Sequence, residues 1–327
     1  MEFKRNIIVT GGAGFIGSHF CRLLMKRDNL RVVCIDKLTY AGNVDNIADL
    51  TDKERFRFVK ADIADREAME KVFAEEKPQL VVNLAAESHV DRSISDPGIF
   101  LHSNVAGTEV LMSCCLKHGV KRFHQASTDE VYGDMPLDCC VGFAEDAPLR
   151  PSSPYAASKA AADLLALAFC RTYGLHVTVS RSSNNFGPAQ YPEKLIPLTV
   201  KCAAMGEKVP VYGKGENVRD WIFVEDNCRA IELVAFGGSS GRIYNIGGGN
   251  VLSNIELVKK ILALCGRDKE GFVYVADRKG HDRKYLLDCG RMEKELGFKP
   301  AARFEQALAL TVKWYLEGGR FAALRSE

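Results

Sequence analysis

The chain has 327 residues, about two average domains by length and enough for a sizeable core with a cleft between lobes. With 46% hydrophobic and 26% charged residues it is an ordinary globular composition, which excludes a disordered or fibrous chain. Lys plus Arg number 44 against 42 Asp plus Glu, a formal net charge of +2, so no nucleic-acid or membrane footprint is expected and any anion must be recognised locally.

Residues 6–10 form an apolar, β-branched strand, 15–24 carry helical spacing and 31–36 return to strand composition, one β-α-β unit. Similar units follow at 56–60 with a helix over 68–75, and at 80–84 with a helix over 99–117 and a strand at 122–126. The alternation predicts an α/β fold: a Rossmann-like, mostly parallel sheet covered by helices on both faces, with strand C-termini on one functional edge. A Pro-rich passage at 148–154 precedes an Ala-rich helix over 155–173 and a strand at 176–180. From 182 to 215 loops and short helical turns replace the alternation. A strand, turn and amphipathic helix over 220–236, a strand at 242–247, a helix over 254–264, a strand at 272–276 and two last helices complete the chain.

This order predicts a cofactor-binding lobe over 1–181, a smaller mixed α/β substrate lobe beginning at 182–217, a return to the first lobe over 218–247, and mainly the second lobe over 248–327. Eleven cysteines, with Cys114-Cys115 and Cys139-Cys140 adjacent, suit neither a secreted disulfide framework nor a C-x-x-C site, so reduced thiols are expected. The opening MEFKRNIIVTGG holds only a short apolar run, and a cytoplasmic protein is expected.

After the first strand comes Gly11-Gly12-Ala13-Gly14-Phe15-Ile16-Gly17. Gly11, Gly14 and Gly17 suit a tight turn, close approach of a pyrophosphate and close helix packing, and the helix start presents backbone donors to a diphosphate. Asp36 ends the second strand, where it can accept from an adenosine ribose and repel a 2′-phosphate, which favours NAD over NADP. Lys37 and Thr39 stand at the ribose edge, Asp62 and Ile63 at the adenine, and the small Ala85 and Ala86 leave room for the cofactor. Each has a plainer reading as a strand end or a solvated turn.

Tyr155 and Lys159 form Y-x-x-x-K on one face of a helix. A lysine cation stabilises a tyrosinate, so the phenol can remove an alcohol proton during hydride transfer. Upstream, Ser127-Thr128-Asp129-Glu130 follows a strand. Two adjacent carboxyls can divide into a base for an acidified C–H and an acid for a departing hydroxyl; the plainer reading is a helix-cap threonine with solvated acids.

Together with AAESHVDRS, SPYAASKA, RSSNNFGP, PEKLIP and PVYGKGENVRDWIFVED, these segments make the chain resemble the extended short-chain dehydrogenase/reductase superfamily and, within it, the dTDP-glucose 4,6-dehydratases. The resemblance implies that Tyr155 and Lys159 serve C4 oxidation of the hexose, that Glu130 removes the C5 proton and Asp129 protonates the C6 hydroxyl, and that Thr128 orients the sugar. It further implies NAD held tightly and regenerated in each turnover, a homodimer, and Ser88, Asn184, Glu193, Lys194, Arg219, Asn254 and His281 around the substrate. Ala189, Asn227 and Val251-Leu252-Ser253 depart from the family pattern and leave base specificity open. UDP-glucose 4,6-dehydratase, a sugar-nucleotide 4-epimerase and a noncatalytic sensor or scaffold are the alternatives.

Overall fold

The computed structural model describes residues 5–318; residues 1–4 and 319–327, the outer ends of the first and last expected lobe segments, lie outside the described residues. Strand β1 (Arg5–Thr10) leads to α1 (Phe15–Met25), β2 (Leu30–Asp36), β3 (Phe56–Lys60), α2 (Arg66–Glu76) and β4 (Leu80–Asn83). From β4 the chain crosses through α3 (Val90–Ser95), α4 (Pro97–Phe100) and α5 (Gly107–Lys117) to β5 (Arg122–Thr128), then α6 (Pro154–Tyr173) and β6 (His176–Ser182). Beyond lie β7 (Asn184–Phe186), α7 (Leu195–Met205), β8 (Val209–Tyr212), β9 (Val218–Phe223), α8 (Val224–Gly237), β10 (Arg242–Ile246), β11 (Val251–Ser253), α9 (Asn254–Leu264), β12 (Phe272–Val275), α10 (Gly290–Leu296) and α11 (Phe304–Leu316).

Seven strands pair in parallel in the order β10-β6-β5-β4-β1-β2-β3, so the direction of strand succession reverses beside β1. That switch point opens a crevice at the strand C-termini. The strands are continuously apolar because both faces are covered. Ile7, Val9, Val32 and Val82 pack with α1 and α8 on one face, while the alternate residues Ile8, Val33, Ile35 and Val81 pack with α2, α5 and α6 on the other. The second lobe holds the sheet β11-β9-β7 and the parallel pair β12-β8, around a core that includes Phe186, Ile196, Trp221, Leu257 and Leu308.

Three expectations need correction. The helix predicted over 99–117 is α4, a π-helical segment over 101–106 and α5. In that segment the Asn104 side chain leaves the helix: its Oδ1 accepts from the Glu87 N–H (2.9 Å), and its Nδ2 donates to Glu87 O (3.0 Å) and Ser158 Oγ (2.8 Å). A π-turn accommodates this excursion and ties the crossover to the loop after β4. The run 97–117 is long and apolar enough to span a membrane, but more than half of it is buried in the fold, with Leu111, Met112 and Cys115 in the second core. Strand β5 continues two residues past Ala126, because Ser127 and Thr128 pair with Arg181 and Ser182 of an equally extended β6. Strand β9 passes without a turn into α8, and it pairs with β7 and β11, not with the strands of the cofactor lobe, to which residues 218–247 were expected to return.

Candidate active site

The crevice is a cavity of about 320 Å³ over the ends of β1, β2, β4, β5 and β6. Gly11, with φ of +66°, has no space for a side chain, since a Cβ would stand 2.7 Å from the Ala85 backbone; one at Gly17 would overlap the Gly11 carbonyl. Gly14 begins α1 with no side-chain cap, so the first-turn N–H groups of Phe15, Ile16 and Gly17 face the cavity these residues line, where the helix dipole favours an anion. Asp36 is nine-tenths buried. Its Oδ2 accepts from the Ala13 N–H (3.0 Å) and its Oδ1 from that of Leu38 (2.8 Å), which fixes the carboxylate at the mouth of the turn. Burial pushes its pKa up against these two donors.

Lys37 donates to Asp62 Oδ2 (3.2 Å) and Ser103 Oγ (3.3 Å), so it is tied to Asp62 and not free. Thr39, Asp62, Ile63, Ala85 and Ala86 also line the cavity. An uncapped helix start, a turn closed to any Cβ and a fixed carboxylate at the end of the neighbouring strand β2 fit a dinucleotide with free ribose hydroxyls.

At the other end, Thr128 closes β5 and its hydroxyl accepts from the Glu130 N–H (3.3 Å), so it caps the short 3₁₀ turn 129–132 as well as lining the cavity. Asp129 is 3% exposed. Its Oδ1 accepts from the Thr128 hydroxyl (3.2 Å), and its Oδ2 is buried without a partner. Burial, then the neighbouring Glu130 charge, push its pKa up to about 8, so Asp129 holds a proton at neutral pH. Half-buried Glu130 is also raised, by burial, but Arg278, Arg219 and Lys194 oppose that shift.

Tyr155 is buried beside Val90 and Phe100; burial and the Glu130 charge raise its pKa while the Thr128 hydroxyl lowers it. Lys159 Nζ donates to Ala126 O (2.6 Å), and burial draws its pKa down to about 8 against the pull of Asp163.

The expected substrate residues fall into two groups. Ser88, Asn184, Glu193 and Lys194 line the same cavity: Lys194 Nζ donates to Ser88 O (3.0 Å), and Glu193 Oε2 lies 3.3 Å from His89 Nε2. Arg219, Asn254 and His281 stand outside that lining. The Arg219 guanidinium donates to the carbonyls of Val218 (2.8 Å) and Asp282 (2.8 Å) and stacks 4.2 Å above Tyr285. Asn254 opens α9, its N–H donating to Asn217 O (2.9 Å), and His281 Nδ1 is 2.7 Å from Asp277 Oδ1.

Sequence reading missed Glu87, which lines the cavity, is 6% exposed and leaves Oε2 unpartnered. It sits inside AAESHVDRS, yet nothing in that string says which polar residue turns inward. Gln190, Tyr191 and Asn227 also line the cavity, Asn227 accepting from the Ser182 hydroxyl (2.8 Å). Ala189, directly before Gln190, takes a φ of +66°, a left-handed position that costs an L-residue about 1–2 kcal/mol.

A doubly wound sheet with this glycine turn, a buried Y-x-x-x-K pair and an acid pair at the next strand end defines a nucleotide-dependent oxidoreductase scaffold of the extended short-chain dehydrogenase/reductase class. The model of the GDP-mannose 4,6 dehydratase family matches residues 8–311. The dTDP-glucose 4,6-dehydratase of Streptomyces niveus is 48% identical over 94% of this chain and 92% of its own, and that of Streptomyces griseus is 49% identical over 95% and 94%.

Among solved structures, dTDP-glucose 4,6-dehydratase from Streptomyces venezuelae with NAD bound superposes with a TM-score of 0.92 at 47% identity, covering 96% of this chain and 97% of that one. UDP-glucose 4-epimerase from Thermotoga maritima gives 0.88 at 34%, covering 95% and 99%. The chain belongs to the GDP-mannose 4,6 dehydratase family, on the branch of the dTDP-glucose 4,6-dehydratases.

Proposed function

We propose that the protein is an NAD-dependent hydro-lyase that converts dTDP-glucose to dTDP-4-keto-6-deoxyglucose and water. The observation that carries the reading is the Thr128-Asp129-Glu130 turn, in which a buried carboxyl that keeps its proton adjoins one flanked by three cations. A 4-epimerase needs no such pair, because it eliminates nothing. The residues around the glycine turn would hold NAD: the first turn of α1 at the diphosphate, Asp36 at the ribose, Ile63 at the adenine. NAD held there would supply a hydride acceptor that is regenerated within the turnover, so the net reaction is loss of water.

Tyr155 takes the proton of the C4 hydroxyl, with the Lys159 ammonium adding positive charge below about pH 8. The new carbonyl acidifies C5, and Glu130 removes that proton. Asp129 gives its proton to the C6 oxygen as water leaves, and Glu130 returns a proton to C5. Thr128 and Ser88 hold sugar hydroxyls, while Asn184, Glu193 and Lys194 face the sugar and diphosphate. Arg219, with Asn254 and His281, serves the nucleotide end.

The partition into a cofactor lobe and a substrate lobe belongs to this proposal, with β9 assigned to the latter. So does a homodimer through the outer faces of the π-helical segment, α5 and α6, where Leu101, Leu116 and Leu164 are exposed; light scattering reads its stoichiometry. A reducing compartment suits eleven free cysteines. The test of function is a panel of dTDP-glucose, UDP-glucose and GDP-mannose with products identified by NMR. Conversion of dTDP-glucose to the 4-keto-6-deoxy sugar is expected, and exclusive turnover of another donor overturns the substrate.

A further inference from the structure

Behind the Tyr155/Lys159 pair lies a charge pair that the chemistry above does not use. Asp163 stands one helical turn beyond Lys159 on α6, a spacing that puts both side chains on one face. It is fully buried. Its Oδ2 accepts from Arg181 Nε (2.9 Å), and Arg181, 2% exposed on β6, also donates to Glu145 O (3.3 Å) and stacks 4.8 Å from the Tyr132 ring. The other oxygen, Oδ1, is buried with no bonded partner and has the pocket residue Ser127 as its neighbour. The guanidinium is thus anchored from three sides, and the carboxylate is anchored to the guanidinium.

We propose that Asp163, held by Arg181, is a positioning residue that keeps Lys159 charged at its place beneath Tyr155. A lysine removed from water loses its proton readily unless a counter-charge is fixed nearby. The other groups on the elements packed around Lys159 do not supply one. On α6 itself there is Tyr155; from β5 and its turn come Ala126 O, Ser127, Thr128, a protonated Asp129, and Glu130, whose charge is met by Arg278, Arg219 and Lys194; from β6 comes the cation Arg181; from the π-helical segment comes uncharged Asn104, bonded to Ser158. Asp163 is the group whose charge raises the Lys159 pKa; burial raises the pKa of Asp163 itself, and the 2.9 Å ion pair with Arg181 opposes that shift and favours the charged carboxylate. The pair gives the site an ammonium whose charge does not depend on the substrate.

The proposal rests on the catalytic reading above, and its test is separable from it. In protein labelled with 13C at lysine Cε, the Lys159 resonance is assigned by its loss in Lys159→Met and followed against pH. Asp163→Asn is expected to move the inflection down by one unit or more, because the lysine loses its counter-charge. In parallel, single-turnover C4 oxidation, which precedes proton donation by Asp129, is expected to fall about tenfold at pH 9 and less than twofold at pH 6, as a one-unit shift requires. Asp163→Asn/Arg181→Met, which removes both charges, keeps a downward shift if the single variant does not fold. An unmoved inflection in either folded variant overturns the proposal, as does a pH-independent loss or failure of both variants to fold, which makes the pair structural only. Absence of turnover in the unmodified protein overturns the catalytic reading and leaves the lysine titration to be judged by itself.

Discussion

The two ends of the cleft are built on opposite principles. At the strand ends of the large sheet, groups are buried and left short of partners: Asp129 Oδ2 and Glu87 Oε2 bond to nothing in the protein. On the second lobe the expected holding residues are already engaged, Arg219 with the backbone carbonyls of Val218, Asp282 and Arg283 and the Tyr285 ring, His281 with Asp277, Lys194 with Ser88, although Asn185 Oδ1 and Gln190 Oε1 beside them are buried without partners. An unpaired buried carboxyl is costly and keeps its proton, which suits a group that must move one. A paired guanidinium is pre-oriented and spends little on reorganisation, which suits a group that only holds.

That contrast is broken or sharpened by five measurements, in order of expected effect. Glu130→Gln keeps the size and removes the base, so release of C5 deuterium from labelled substrate should slow by about 10³-fold while C4 oxidation changes little; unchanged release refutes the assignment. Tyr155→Phe should slow C4 oxidation about 10²-fold, read as the appearance of reduced-cofactor absorbance after rapid mixing.

Asp129→Asn should cost about 10²-fold in turnover and also reverse in stability. The folded pKa of Asp129 is raised to about 8, above an unfolded value near 4, so the folded form binds the extra proton and stability falls as pH rises between those values. The variant escapes this, and its melting temperature should gain on the parent between pH 6 and pH 8; parallel curves count against a protonated Asp129.

At the holding end, Arg219→Lys should raise KM for the nucleotide sugar about tenfold with kcat nearly kept, since a lysine cannot span two carbonyls and a ring. A larger fall in kcat than in affinity shows instead that Arg219 acts through the charge it places near Glu130. His281→Ala should move KM by about threefold or less; a tenfold change places the histidine on the ligand and not merely on Asp277.

Much of the first end was legible in the sequence because local rules determine it. The apolar, β-branched runs, the glycine spacing and Y-x-x-x-K fix a strand, a turn and a helix face within a few residues. The lobe boundary at 218 was less legible: VRDWIF looks like any buried strand, and whether it joins the large sheet depends on partners at Asn184–Phe186 and Val251–Ser253, distant in sequence. The π-helical segment was hidden for the same reason, since Asn104 leaves its helix only because Glu87 and Ser158 are there to receive it.

By itself the sequence determined the elements, the cofactor class and the chemical types at the site, because propensity, turn geometry and side-chain pKa are properties of short segments. Only the tertiary structure decided which carboxyl keeps its proton, that Lys159 bonds to Ala126 O, and that Asp163 is joined to Arg181. Those outcomes depend on burial and on charges brought from separate strands, and electrostatic energy inside a protein is set by distance and by the exclusion of water, neither of which is written in any one segment.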